Sequence, residues 1–249
     1  ISLALSDNIG HQTRMASKVV APHGLLWEGR SLIDDAPIVA IATAGSANRK
    51  TGPMIQVWII RSDMAPHVAR RAGLDVSVCG HCAMREACYV VTAHSPRSVW
   101  EAYHAGLYRS VAPNAFARTA IRWGAYGDPA LLPAELVRAC NDAARGWTGY
   151  THQYKRVWAQ WCRGVFMASV ETAAQEERLR AQGWGTLRVG RKDGSDLGSS
   201  THCPYDTVGT TCIECRACDG GERAIYVAAH GAGANAVPAE RLRRQKEGR

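Results

Sequence analysis

Apolar and polar positions alternate along the chain in short blocks. Two compact apolar runs, Pro37-Ile-Val-Ala-Ile-Ala-Thr43 and Met54-Ile-Gln-Val-Trp-Ile-Ile60, are rich in β-branched residues and bounded by Gly or Pro, which predicts two strands. Ser62 and Asp63 are good N-caps for a helix over about 64–72, and Ser95-Pro96 opens a second near 97–107. From Arg118 onward strand and helix patterns take turns. Thr119–Gly124, Trp147–Tyr150, Gly164–Ser169, Thr186–Val189 and Ala224–Ala229 read as strands. Between them Pro133–Ala144, Tyr154–Cys162 and Glu171–Ala181 read as helices. Strands alternating with helices of this length imply βαβ units and a parallel sheet. The expected fold is therefore α/β: a full or partial (β/α) barrel with mostly parallel strands and Cys-rich loops. Residues 1–35 read as a polar leader, 36–232 as a single barrel-like domain carrying both Cys groups, and 233–249 as a basic tail.

In such a barrel the chemistry gathers in loops at the C-terminal ends of strands. Three of these loops are unusually polar: Tyr126-Gly-Asp-Pro129, Thr151-His-Gln153 and Ser169-Val-Glu171. Asp128, His152, Gln153 and Glu171 are the candidate catalytic residues, for substrate hydrogen bonds or proton transfer. Tyr89, Arg122, Tyr126 and Ser169 are the candidates to bind a cofactor or substrate. A plainer reading stands beside this one, in which Asp128-Pro129 turns the chain and Ser169 caps a helix.

The composition is that of an ordinary globular protein, 46% hydrophobic and 21% charged over 249 residues. No stretch is apolar enough to span a bilayer, and Ile1–Gly10 lacks the basic start and apolar run of a secretory signal. The expected location is the cytoplasm, with no membrane partner. Nine cysteines at such a density in a reducing compartment point to metal or redox chemistry rather than disulfides. The net charge of +8 is compatible with nucleic acid but rests largely on Arg: Lys occurs only at 18, 50, 155, 192 and 246, leaving 25 Arg among 30 basic residues. The compact basic run Arg241–Arg249 reads as a solvated end.

Seven cysteines fall in two groups. Cys79-Gly-His-Cys82 followed by Cys88-Tyr89 sets three thiols within ten residues, with Gly80 to bend the backbone. Cys88 is expected at a helix start, where the dipole favours thiolate. Three thiolates suit a cluster with one iron left open, or a metal completed by an imidazole such as His81. The second group, Cys203-Pro204 with Cys212, Cys215 and Cys218, carries the C-x2-C-x2-C run and remote Cys-Pro used by bacterial ferredoxins. Successive thiolates at this spacing reach different irons of a 4Fe-4S cube. Zinc is the alternative, as a ribbon of Cys79 and Cys82 with Cys212 and Cys215, but it leaves Cys88, Cys203 and Cys218 unexplained. Cys140 and Cys162 lie in apolar helical patterns and read as small core residues.

The segments Cys79–Tyr89, Arg122–Pro129, Gly149–Gln153, Ala168–Val170, Gly183–Val189 and Cys212–Gly220 resemble uncharacterised Cys-rich phage proteins of the "gene product 88" type. That resemblance implies a phage or plasmid origin, hence the host cytoplasm, and names no reaction. More distantly, Cys79, Cys82, Cys88 and Tyr89 resemble the cluster loop of radical S-adenosylmethionine enzymes, with Cys203, Cys212, Cys215 and Cys218 as an auxiliary cluster. The spacing here, C-x2-C-x5-C, departs from that family's C-x3-C-x2-C. The family's glycine-rich methionine-binding motif is also not evident. The expected function is an iron–sulfur protein acting as a radical or redox enzyme, with an electron donor and a small-molecule or nucleic-acid-derived substrate. The alternative is a zinc- or cluster-stabilised module that binds nucleic acid or serves structure.

Overall fold

The computed structural model describes residues 22–229. The basic tail and most of the polar leader lie outside the described residues. Ten strands form two five-stranded sheets.

The first sheet begins inside the expected leader. Strand β1 (Gly24–Arg30) pairs antiparallel with β2 (Pro37–Thr43), which pairs antiparallel with β3 (Ile55–Arg61). Residues 24–30, within the stretch expected as a leader, form β1, with Leu26 buried in the main core. Strand β4 (Ala120–Tyr126) then lies parallel to β3, and β5 (Gly146–Thr148) parallel to β4.

The second sheet is wholly parallel. It comprises β6 (Tyr150–Thr151), β7 (Met167–Val170), β8 (Thr186–Gly190), β9 (Thr201–His202) and β10 (Ala224–Ala228), in the order β6-β7-β8-β10-β9. Only Gly149 separates β5 from β6, so one stretch of chain passes from the first sheet to the second. A Cβ at Gly149 would lie 2.7 Å from the Phe166 ring, which explains why the crossing is a glycine. The α/β class with mostly parallel strands therefore holds.

Helices follow the expected positions, with one change. Helix α1 (Pro66–Ala72), α2 (Val76–Cys79) and α3 (Ser95–His104) come between β3 and β4, and α4 (Ala134–Ala143) follows β4. Helix α5 (Ala173–Arg180) has a full capping box, Thr172 with Gln175. The segment expected as α-helix over 154–162 is instead a 3-10 helix, Val157–Cys162. Its buried residues, Ala159 and Cys162, are three apart, the period of that tighter helix. Two short helices, α6 (Pro204–Val208) and α7 (Cys212–Cys215), carry the second cysteine segment.

Register decides the faces of the second sheet. Thr151, Ala168, Thr186 and Ala224 pair along one row, and Val170, Arg188 and Tyr226 along the next on the same face. Helix α5 covers that face, where Glu176 meets Arg188 at 3.2 Å. The opposite face carries Tyr150, Met167, Leu187, Ile225 and Val227. No helix of the βα type covers it. Cys203, Tyr205, Ala217 and Cys218 pack there instead. Cys140 and Cys162 are fully buried in the main core, as their patterns suggested.

Candidate functional site

The first cysteine segment leaves α2 at Cys79 through Gly80, whose φ is +60° and ψ −156°, a conformation open to glycine alone. A Cβ there would also lie 2.3 Å from the Gln153 amide nitrogen. The chain then runs irregularly to Tyr89, with Met84 and Ala87 packed on Val189 of β8 and on Ala229, just past β10. Cys88 therefore does not start a helix: α3 begins only at Ser95, and no helix dipole reaches the Cys88 thiol.

Asp128 fastens this region. Its side chain accepts hydrogen bonds from Ala130 N at 3.0 Å and His152 N at 2.8 Å, and its own N–H donates to Val78 O at 2.7 Å. Gln153 is buried and donates to Cys79 O at 3.2 Å. Burial pushes the Asp128 carboxyl above the usual range, against the lowering effect of His152 and the N–H donors. His152 follows β6 and feels the charge of the Cys82 thiol. Burial alone lowers the pKa of its ring, but Cys82, Asp128 and Glu171 together raise it to about 9. Burial likewise pushes the Cys79 thiol well up, and the neighbouring Cys82, Asp75 and Cys88 add to the effect.

Three polar atoms here have no hydrogen-bond partner although they are shielded from solvent: His152 Nε2, the Tyr126 hydroxyl and Asp75 Oδ2. Tyr126 is 3% exposed, and burial followed by Cys79, Asp75 and Cys88 pushes its hydroxyl far above the ordinary value. Ser169 is buried on β7, facing the same way as Tyr150 and Leu187. Glu171 acts on His152 through its charge, and its backbone N–H is taken by Gln175 in the α5 cap.

The second segment is pinned by backbone bonds. Cys203 N donates to Tyr226 O at 2.7 Å, Cys212 N to Lys50 O at 2.8 Å, and Gly149 N to Cys218 O at 2.9 Å. Thr211 and Glu214 cap α7, and Arg216 closes it in the left-handed region. Burial pushes the Cys218 thiol strongly up, with Cys212, Cys203 and Cys215 each adding to it. Cys212 is raised by burial and by Cys203 and Cys215, but lowered by Arg122 and Lys50. These interactions run within each group.

Between the groups stands Arg122 on β4. It donates to Gln56 Oε1 at 3.1 Å and to the Tyr89 hydroxyl, and the Tyr89 and Tyr150 hydroxyls are 3.0 Å apart. No carboxylate forms an ion pair with Arg122 among the described residues. Sequence reasoning missed Gln56 and Tyr150. Gln56 had a legible signal as the lone polar side chain inside an apolar strand run, whereas Tyr150 had none.

All nine cysteines are free thiols. Among the described residues no three His, Cys, Asp or Glu side chains already surround one point closely enough to hold a metal ion. What the donor sets offer is chemistry: buried thiols gathered in two groups, with unpartnered polar atoms at the first. No helix among the described residues is long and apolar enough to cross a membrane. Comparison of the chain with protein-family models, curated proteins and solved structures finds no match to any of them.

Proposed function

We propose that the chain is an iron–sulfur protein in which Cys203, Cys212, Cys215 and Cys218 hold a 4Fe-4S cluster and Cys79, Cys82 and Cys88 hold a second metal centre. The supporting observation is that Cys203 and Cys218 pack on one face of the second sheet, with Cys212 and Cys215 on α7 between them in sequence and acting on Cys218. Burial raises the neighbouring Cys212 and Cys218 thiols, so ionising them is costly unless a cation joins them, and a metal centre supplies that charge. On this reading the two sheets form the wall of a partial barrel around the cysteine segments. The protein is then a redox or radical enzyme of phage or plasmid origin working in the host cytoplasm. An external electron donor would reduce the clusters, and S-adenosylmethionine is the cofactor to test first. Arg122, Tyr89 and Tyr150, between the groups, would meet the substrate.

Anaerobic purification tests this directly. Brown protein with iron and acid-labile sulfide in cluster proportion is expected, and Cys212→Ser with Cys215→Ser should lose the sulfide. Colourless protein carrying stoichiometric zinc would sink the proposal.

A further inference from the structure

We propose that the cleft between α1 and the first cysteine segment is a binding site for a phosphate group, free or carried on a small molecule. The inference goes beyond the cluster reading and holds whether or not the cysteines bind metal.

Helix α1 reads Pro66-His-Val-Ala-Arg-Arg-Ala72. Arg70 and Arg71 follow His67 by three and four residues, so the three share one face of the helix. That face, with Arg85, Glu86 and Thr92 opposite, lines a cleft of about 380 Å3. The volume is within the range of small-molecule sites. Arg70 and Arg85 are fixed across it by an exchange of bonds. Arg70 donates to Arg85 O, and Arg85 Nη2 donates to Arg70 O at 2.7 Å.

Charge does not balance across the cleft. Buried Asp75 accepts from Arg85 Nε at 3.1 Å and Nη2 at 2.9 Å, and lies 3.7 Å from Arg70. Glu86 accepts from Arg85 Nη1 at 3.0 Å. Three arginines thus meet two carboxylates. The charge left over is that of Arg71, whose side chain forms no ion pair among the described residues. The last turn of a helix favours cations, which accounts for Arg70 and Arg71 on α1. It does not account for Arg85, which faces them from a separate segment. His67 adds a second open group. Its Nδ1 is shielded from solvent and has no hydrogen-bond partner, an uncommon state that calls for an absent one. A phosphate answers both groups. Its negative charge offsets Arg71, and its several oxygens can accept from guanidinium, imidazole and the Thr92 hydroxyl together. Because Arg70 and Arg85 already hold each other, they lose little further freedom when the ligand arrives.

The test uses the full chain in calorimetric titrations near neutral pH. The probes are inorganic phosphate, glycerol 3-phosphate, acetate and a single-stranded oligonucleotide without terminal phosphates. Saturable binding of inorganic phosphate or glycerol 3-phosphate at about 1 mM or tighter is expected. The tighter of the two tells whether the group arrives free or on a small molecule. Arg71→Gln should weaken that binding by about tenfold, and His67→Ala should weaken it as well. Glu86→Gln should tighten it, because a repelling charge leaves the cleft. Lys192→Gln, at an exposed cation elsewhere, should leave it unchanged. Arg71 is exposed and unpaired, so its replacement spares the fold. Absence of saturable phosphate binding overturns the inference, as does binding that Arg71→Gln and His67→Ala both leave intact. Acetate binding as tightly as phosphate overturns it too. So does tighter binding of the oligonucleotide, which would mark a nucleic-acid surface instead. None of these outcomes bears on the cluster reading, which iron, sulfide and zinc content decide separately.

Discussion

Gly80 turns the chain out of α2 with φ +60° and a neighbour 2.3 Å from where a Cβ would stand. Gly80→Ala is therefore expected to cost well over about 1 kcal/mol, because backbone strain and displacement of Gln153 add together. For a chain of this size each kcal/mol lowers the melting temperature by about 2–4 °C, which calorimetry resolves. Arg188 is 2% exposed and is held by Glu176, Ser200 and the carbonyls of Asp196 and Leu197. Arg188→Met leaves the Glu176 carboxylate buried and unpaired, so a loss of about 3–5 kcal/mol in denaturant unfolding is expected. Tyr103 gives the pH-dependent case. Its hydroxyl donates to Glu28, and that bond, with some burial, raises its pKa to about 12. The neutral hydroxyl is the bonded form, so the stability it adds is whole below about pH 10 and is lost as pH rises toward 12. Ultraviolet titration should find one tyrosine ionising near pH 12, and Glu28→Ala should return it toward pH 10.

At the scale of elements, the β4 end, α2 and the β6 end are separate in sequence and are joined through one residue, Asp128, by its backbone N–H to Val78 O and its carboxylate to His152 N. Asp128→Ala removes the acceptor of both Ala130 N–H and His152 N–H. The expected cost is about 1–3 kcal/mol for each buried donor left unpaired. Hydrogen exchange should show those two amides opening far faster, while the amides of β2 and β3 stay protected. The plain reading of Asp128 as a residue that caps and fastens a turn is thus the one its geometry displays. Elements themselves were largely legible, because β-branched runs and capped amphipathic stretches report local preferences. Strand β1 was not. Its Trp27, Glu28 and Arg30 hide its pairing, which depends on β2 arriving alongside. The 154–162 segment was read as a helix of the wrong pitch, since Trp and Cys positions fit 3.0 and 3.6 residues per turn almost equally over so few residues.

For the whole molecule, the arrangement of layers matters most. Helix α5 covers one face of the second sheet, and the cysteine segment takes the place of a helix on the other. Little apolar surface holds that segment down: Met167, Leu187, Cys203, Ile225 and Val227 make a small cluster beside a much larger main core. If the second group binds metal, chelation should therefore lower the melting temperature and expose 204–218 to limited proteolysis. The strands of the first sheet should survive it. Equal protection of both regions with and without chelator would count against a structural contribution from the metal.

The sequence by itself determined the α/β class, most strand and helix positions, and the two cysteine groups. These follow from local periodicity, capping and ligand spacing, which need no distant partner. Only the tertiary structure decided that Cys203 and Cys218 pack on the sheet face away from α5, and that Arg122 meets Gln56 and Tyr89 beside Tyr150. The reason is physical. Which side chains meet depends on strand register and on bonds such as that between Asp128 and His152 N, which joins residues 24 positions apart.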